Sequence, residues 1–216
     1  EHLQQALAQR NCVIHLAAAQ HESHMPASYF RQINVDGTRR LLETARNAGV
    51  ERFVYGSSIG VYGSSTDRLL DETSTIGPEH QTQTKLEGEE VVRGFANDLQ
   101  TCIIRISETY GPSDFRLLKL FRAIDREHFI MIGSGKNRRQ CMHVTDLTRL
   151  LLLAAEHPAA VGETFVAAGR EIMTSNEMVQ TIATAMHRRT PRTHLPLWPF
   201  TIGARIMETV LPPFGI

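Results

Sequence analysis

The chain has 216 residues, 42% of them hydrophobic, enough for one large domain or one and a half with ordinary cores. Lysine plus arginine and aspartate plus glutamate both total 23, so no overall electrostatic case exists for nucleic acid or an anionic membrane. Three widely spaced cysteines, Cys12, Cys102 and Cys141, lie in apolar surroundings. They predict buried thiols in a reducing cytoplasm and argue against a disulfide framework or a metal site.

In chain order, the continuous apolar run CVIHLAAA (12–19) predicts a buried strand. From Asn34 to Ala48, the positions Val35, Leu41, Leu42, Ala45 and Ala48 form one helical face, with Gly49 as the stop. RFVYGSS (52–58) is a second strand, and from Lys85 to Leu99 the residues Val91, Val92, Phe95 and Leu99 repeat the helical period. TCIIRISETYG (101–111) is a third strand and ETFVAAG (163–169) a later one. FIMIGSGKNRRQCMHV reads as a shorter strand pair around a Gly-rich turn. Two capped helices complete the pattern, one starting at Thr145 or Asp146, the other at Thr174 or Ser175. The apolar stretch THLPLWPFTIGA (193–204) is too short to span a membrane and contains two prolines; an interfacial or substrate-facing role stays open to it. Strands alternating with helices at this spacing require parallel crossovers, hence an α/β sheet covered on both faces.

A dinucleotide-binding sheet should begin with a strand, a G-x-G-x-x-G turn and a helix, and nothing ahead of CVIHLAAA supplies one. GSSIGVYG imitates the turn with Gly56, Gly60 and Gly63, but loop-like SSTDR follows it instead of an apolar helix. Ser57 and Ser58 are the better signal, because they end a predicted parallel strand, where open α/β sheets bind ligands.

Six motifs occur in order: VIHLAA, NVDGTRRLLETA, RFVYGSSIGVYG, TKLEGE, IIRISETYGP and GSGKNRRQCMHVTDL. In that order and spacing the chain resembles the NAD-dependent epimerase/dehydratase family of extended short-chain dehydrogenases/reductases, over roughly residues 1–185. UDP-glucose 4-epimerase-like and 3β-hydroxysteroid dehydrogenase-like enzymes belong to it. The resemblance implies an α/β, Rossmann-like, doubly wound parallel sheet lacking its first strands, plus a small mixed C-terminal substrate-binding region. The expected division is a partial NAD(P)-binding domain over 1–114 and a mainly substrate-binding region over 115–216, with elements returning to the sheet. Both ends read as cut, so the chain is expected to be a fragment, or to take its missing strands from elsewhere, and to bind NAD weakly.

The resemblance also assigns roles. Leu16, Ala17 and Ala18 would lie along NAD or NADP, and Ser57 would also face the cofactor. Asn34 would hold a helix and water network near the active site, or simply cap its helix. Ser58 matches the catalytic serine, Lys85 the lysine that binds the nicotinamide ribose, and Arg139 the arginine that holds a substrate diphosphate. Two positions depart from the pattern. Gln81, four residues before Lys85, stands where the family has its proton-shuttling tyrosine, and Ile106 replaces a proline.

Glutamine cannot titrate, although it can orient a ligand. His80, about a quarter turn away on a helix, is a candidate replacement acid. The function implied is an NAD(P)-dependent oxidoreductase or epimerase/dehydratase acting on a secondary alcohol or ketone of a sugar nucleotide or sterol-like substrate. The alternative is a non-catalytic nucleotide-binding relative. The expected partners are a small-molecule substrate and a second copy of the chain, paired through the family's helix pair.

Overall fold

The computed structural model describes residues 2–20, 24–63, 69–77 and 83–202. Its central feature is a parallel four-stranded sheet. Helix α1 (His2–Leu7) leads into β1 (Cys12–His15). Next come α2 (Ala27–Arg31), a π-helical turn (Gln32–Gly37) and α3 (Thr38–Asn47). Strand β2 (Arg52–Ser58) ends in a 3-10 turn (Ile59–Tyr62). It is followed by α4 (Gln83–Gly94), β3 (Gln100–Ile106) and the short β4 (Thr109–Tyr110). The chain continues through α5 (Phe115–Asp125), β5 (Met131–Ile132), β6 (Arg138–Arg139), β7 (Met142–His143) and α6 (Val144–Glu156). It closes with β8 (Thr164–Ala167), β9 (Met173–Thr174), α7 (Ser175–Ala185) and β10 (His194–Leu195).

The sheet order is β1-β2-β3-β8, every pair parallel. Alternation along the strands explains the two covered faces. Phe53, Tyr55 and Ile103 point to one side, where they pack with Leu7, Leu42, Ala45, Val91 and Val92 of α1, α3 and α4. Val54, Cys102 and Ile104 point to the other, against Leu147, Leu151 and Ala154 of α6. This is the doubly wound arrangement expected from the sequence. The outer edge of β8 is partly closed by Glu72, whose Oε1 accepts a hydrogen bond from the Val166 amide at 2.7 Å.

The chain forms two units: Glu1–Gly111 with Gln140–Arg170, and Pro112–Arg139 with Glu171–Ile216. The second has its own small core of Ile124, Val179, Ile182 and Ala183, between α5 and α7.

Several local expectations are corrected. The predicted strand 12–19 stops at His15, because the Asn34 carboxamide takes both backbone groups of Ala19 and turns the chain off the sheet. Asn34 is not a helix N-cap: the helical run starts upstream at Ala27 and Asn34 lies inside its π-helical turn. Strand 101–111 breaks after Ile106; beyond the break the Glu108 carbonyl accepts from Met142 N–H and β4 pairs with β7. The Gly-rich segment forms no hairpin, because β5 pairs with β10 and β6 with β9. The helix predicted over 85–99 ends at Gly94, with Phe95 and Leu99 still buried in the turn that follows.

Capping is corrected once and upheld once. Helix α6 is capped by His143, whose Nδ1 accepts from Thr145 N–H, whereas α7 is capped by Thr174 in a capping box with Glu177. Gly49, with φ of 74°, stops α3 as predicted, a conformation open to glycine without strain.

Candidate functional site

Ser58 ends β2, and Lys85 of α4 reaches the same strand at Gly56, two residues earlier. Helix α4 approaches that strand closely because residue 88 is glycine: a Cβ there would lie 2.2 Å from the Tyr55 hydroxyl. The approach buries Lys85 to 5% exposure, so its long apolar stem is removed from water. Its Nζ donates to the Gly56 carbonyl at 2.9 Å and stands 5.4 Å from the Tyr55 ring centroid. Burial brings its pKa down to about 8, with the Glu89 carboxylate working the other way. An ammonium has three donors, so Lys85 keeps hydrogen-bonding capacity for a ligand hydroxyl.

Ser58 begins the 3-10 turn and its Oγ accepts from Gly60 N–H at 3.1 Å, which leaves the serine proton to donate. Ser57 behaves differently. It is buried and its Oγ donates to Glu89 Oε1 at 2.6 Å. Leu16 and Ala17 are exposed beyond the end of β1, and Ala18 is half-buried. Asn34 Oδ1 accepts from Ala19 N–H at 2.8 Å, while its Nδ2 donates to the Ala19 carbonyl and to Thr84 Oγ1, each at 3.0 Å. It thereby ties the segment after β1 to the residue preceding Lys85. Ser107, at the end of β3, buries a hydroxyl with no partner among the described residues. An unpaired buried group of that kind costs about 1–3 kcal/mol until a ligand or water satisfies it. Arg139 lies in the second unit, half-buried, with Nε donating to Ser175 Oγ at 3.2 Å. Gln81 and His80 lie outside the described residues.

The sequence reading missed a buried charged network behind Ser58 and Lys85. The Glu89 carboxylate is fully buried and accepts from Ser57, from Arg105 Nε at 3.0 Å and Nη2 at 2.8 Å, and from Arg93 at 2.8 Å. Arg105 also donates from Nη1 to the Tyr62 hydroxyl at 2.7 Å, holding the far end of the turn that starts at Ser58. One signal pointed to it: a charged residue in the middle of the apolar run CIIRI, on the strand face turned toward α4.

His15, at the end of β1, pairs through Nε2 with Thr38 Oγ1 at 3.0 Å. Thr38 spends its proton on the Asn34 carbonyl at 2.7 Å, so His15 is the donor and the neutral ring carries its hydrogen on Nε2. Burial first, and the Lys85 ammonium second, lower its pKa to about 4. Its contribution to stability is therefore complete above the ordinary histidine value of about 6.5 and is lost as pH falls from there toward about 4. Urea unfolding is expected to show that acid limb, and His15→Asn to flatten it. An unchanged slope in the variant would reject this assignment.

The residues present fit the nicotinamide-ribose end of a dinucleotide: a buried cation with donors to spare, a serine hydroxyl, and small residues beyond β1. Among the described residues no cluster of histidine, cysteine, aspartate and glutamate could hold a metal ion. Nor is any described helix long and apolar enough to cross a membrane.

The family model described as NAD dependent epimerase/dehydratase matches residues 1–168. The chain is 28% identical over 200 residues to N-acetyl-alpha-D-glucosaminyl-diphospho-ditrans,octacis-undecaprenol 4-epimerase of Escherichia coli O157:H7, covering 90% of this chain and 60% of that protein. It is 26% identical over 205 residues to UDP-glucose 4-epimerase of Vibrio cholerae, covering 90% of this chain and 62% of that protein. The chain thus spans about three fifths of the length of these relatives. Among solved structures it is similar to MoeE5 in complex with UDP-glucose and NAD, with a TM-score of 0.79 and 28% identity over 91% of this chain and 69% of that one.

Proposed function

This chain belongs to the NAD-dependent epimerase/dehydratase family, and from that premise we propose that it binds NAD and acts on a sugar nucleotide at the carbon bearing a secondary alcohol. The observation that carries the reading is the buried Lys85 ammonium held on the Gly56 carbonyl, two residues before Ser58 at the end of β2. Bound NAD would supply a reversible hydride acceptor at that strand end. Lys85 would donate to the nicotinamide ribose, Ser58 would donate to the reacting oxygen of the sugar, and Leu16, Ala17 and Ala18 would let the cofactor approach the backbone. Ser57 would serve from behind, fixing the strand end through Glu89 rather than touching the cofactor with its hydroxyl. Arg139 would meet a diphosphate. A sugar-nucleotide substrate is preferred to a sterol because UDP-glucose is the ligand of MoeE5 and UDP-glucose 4-epimerase is a relative.

A homodimer would use the outer faces of α3 and α4. Beside them, the helical run from α2 into α3 and helix α4 leave an open groove between Arg31, Val35 and Arg39 on one side and Glu87, Glu90 and Phe95 on the other; Arg31 pairs with Glu87 across it, and Arg39 and Glu90 add opposite charges for a second copy.

The second reading, a nucleotide binder without turnover, is favoured by Gln81. An NADH titration followed by nicotinamide fluorescence tests the binding that both readings share; weak saturable binding is expected, and none at millimolar NADH would overturn both. Gln81→Tyr then separates them. With UDP-glucose and NAD, restoring the acid–base group is expected to raise epimerisation by roughly 10²- to 10⁴-fold. No gain would favour the binder.

A further inference from the structure

Lys85 and Glu89 stand four residues apart on α4, which puts their side chains on one face a turn apart, with roughly 5–6 Å between their Cβ atoms. Each is buried, and each is tied to β2: Lys85 to the Gly56 carbonyl, Glu89 to the Ser57 hydroxyl. We propose that Glu89 is a positioning residue for the nucleotide site, its carboxylate keeping Lys85 in the charged, donating form and pinning the strand end that carries Ser57 and Ser58. The proposal rests on Lys85 being the cofactor lysine.

The surroundings of Lys85 leave that task to Glu89. From β2 it faces Tyr55, a phenol pushed upward by burial and then by Glu89, so it stays neutral and offers only its ring. From β1 it faces His15, neutral across the working range. From β3 and from α4 itself, Arg105 and Arg93 bring two guanidiniums to the far side of the Glu89 carboxylate. Glu89 is thus the one anion among the described residues of this buried cluster. It stands between one cation that would take the ligand and two that would repel the first. Without it, Lys85 and Arg105 would share a desolvated corner with the exposed Arg93 at its rim, and the ammonium has the least costly way out, which is to lose its proton.

The test follows Lys85 directly. The chain has three lysines, Lys85, Lys119 and Lys136. With 13C-labelled lysine, each Cε resonance can be followed against pH and Lys85 assigned by its loss in Lys85→Met. Glu89→Gln is expected to lower the Lys85 midpoint by about one pH unit or more, a tenfold change in its protonation ratio. Arg93→Gln, which removes an exposed cation, is expected to shift it upward. NADH affinity in Glu89→Gln should fall in parallel, most steeply between the two midpoints. A Lys85 midpoint that stays within about 0.3 units in Glu89→Gln would overturn the proposal, as would a downward shift in Arg93→Gln. Should Glu89→Gln not fold, Glu89→Asp, which keeps the charge but draws it back from Lys85, is expected to lower the midpoint by a smaller step, and an unchanged midpoint there would overturn the proposal. Failure of the wild type to bind NADH would count against the cofactor reading while leaving the lysine titration to judge Glu89.

Discussion

Replacing Arg105 by alanine is expected to lower the unfolding free energy by about 3–5 kcal/mol, the cost of removing one member of a buried ion pair. The midpoint of thermal unfolding should fall by roughly 10 °C in a chain of this size. Arg105 is 4% exposed and Glu89 fully buried, so no water replaces the lost guanidinium. Two of the hydrogen bonds to the carboxylate disappear with it, leaving those from Ser57 and from Arg93, whose side chain is 45% exposed.

The pH dependence gives a second check. In the wild type, burial pushes the Glu89 carboxyl upward, but hydrogen bonds from Arg105, Ser57 and Arg93 outweigh it and hold the group below its ordinary value. Its stabilisation is therefore present above the ordinary glutamate value of about 4.3 and is lost as pH falls through the lower folded one. In Arg105→Ala burial prevails, the shift reverses sign, and the gap between variant and wild type should widen as pH rises from about 4 to 7. Urea unfolding at several pH values measures both effects. A neutral-pH loss below about 1 kcal/mol would mean that the network behind Ser58 is incidental.

Lys85→Met should separate stability from binding. Methionine fills a similar volume without a charge, so the variant is expected to be more stable by about 1–2 kcal/mol at neutral pH. The sign follows from Lys85 titrating at about 8 when folded, below its ordinary 10.5. The cost of its buried ammonium is present below pH 8 and relieved as pH rises toward 10.5, so the advantage of the variant should shrink across that window. In the same variant NADH affinity should drop at least tenfold, since a hydrogen bond from a charged donor contributes about 1.5–3 kcal/mol. Nicotinamide fluorescence and urea unfolding together check the pair of outcomes. A variant both more stable and still binding would remove Lys85 from the site; one that loses stability would mean that its contacts to Gly56 and Tyr55 outweigh its desolvation.

The positions of Lys85 and Ser58 were legible because they rest on short-range rules. A serine pair closing an apolar β-run lands at a strand end, and a lysine opening the next amphipathic helix lands above it. Gly49 was legible for the same reason: a helix that ends in a positive φ selects glycine locally. Ser57 reads differently once its partner is known. Side chains alternate across a strand, so the residue beside Ser58 faces α4 and finds Glu89, a choice visible only when the helix has been docked.

What the amino-acid sequence alone determined about this protein is the parallel α/β architecture with helices on both faces and its family membership. Periodicity, turn residues and six ordered motifs are properties of neighbouring positions. The tertiary structure decided where each strand stops, which carbonyls and amides are taken by side chains, and which charges share a buried corner. Asn34 ends β1 early through Ala19, 15 residues away. Arg105 reaches Glu89 across 16 residues and Tyr62 across 43. Such pairings depend on the register of β2 against β3 and on the closeness of α4 that Gly88 permits. No local pattern encodes them, because their energies arise only when segments distant in the chain exclude water from one another.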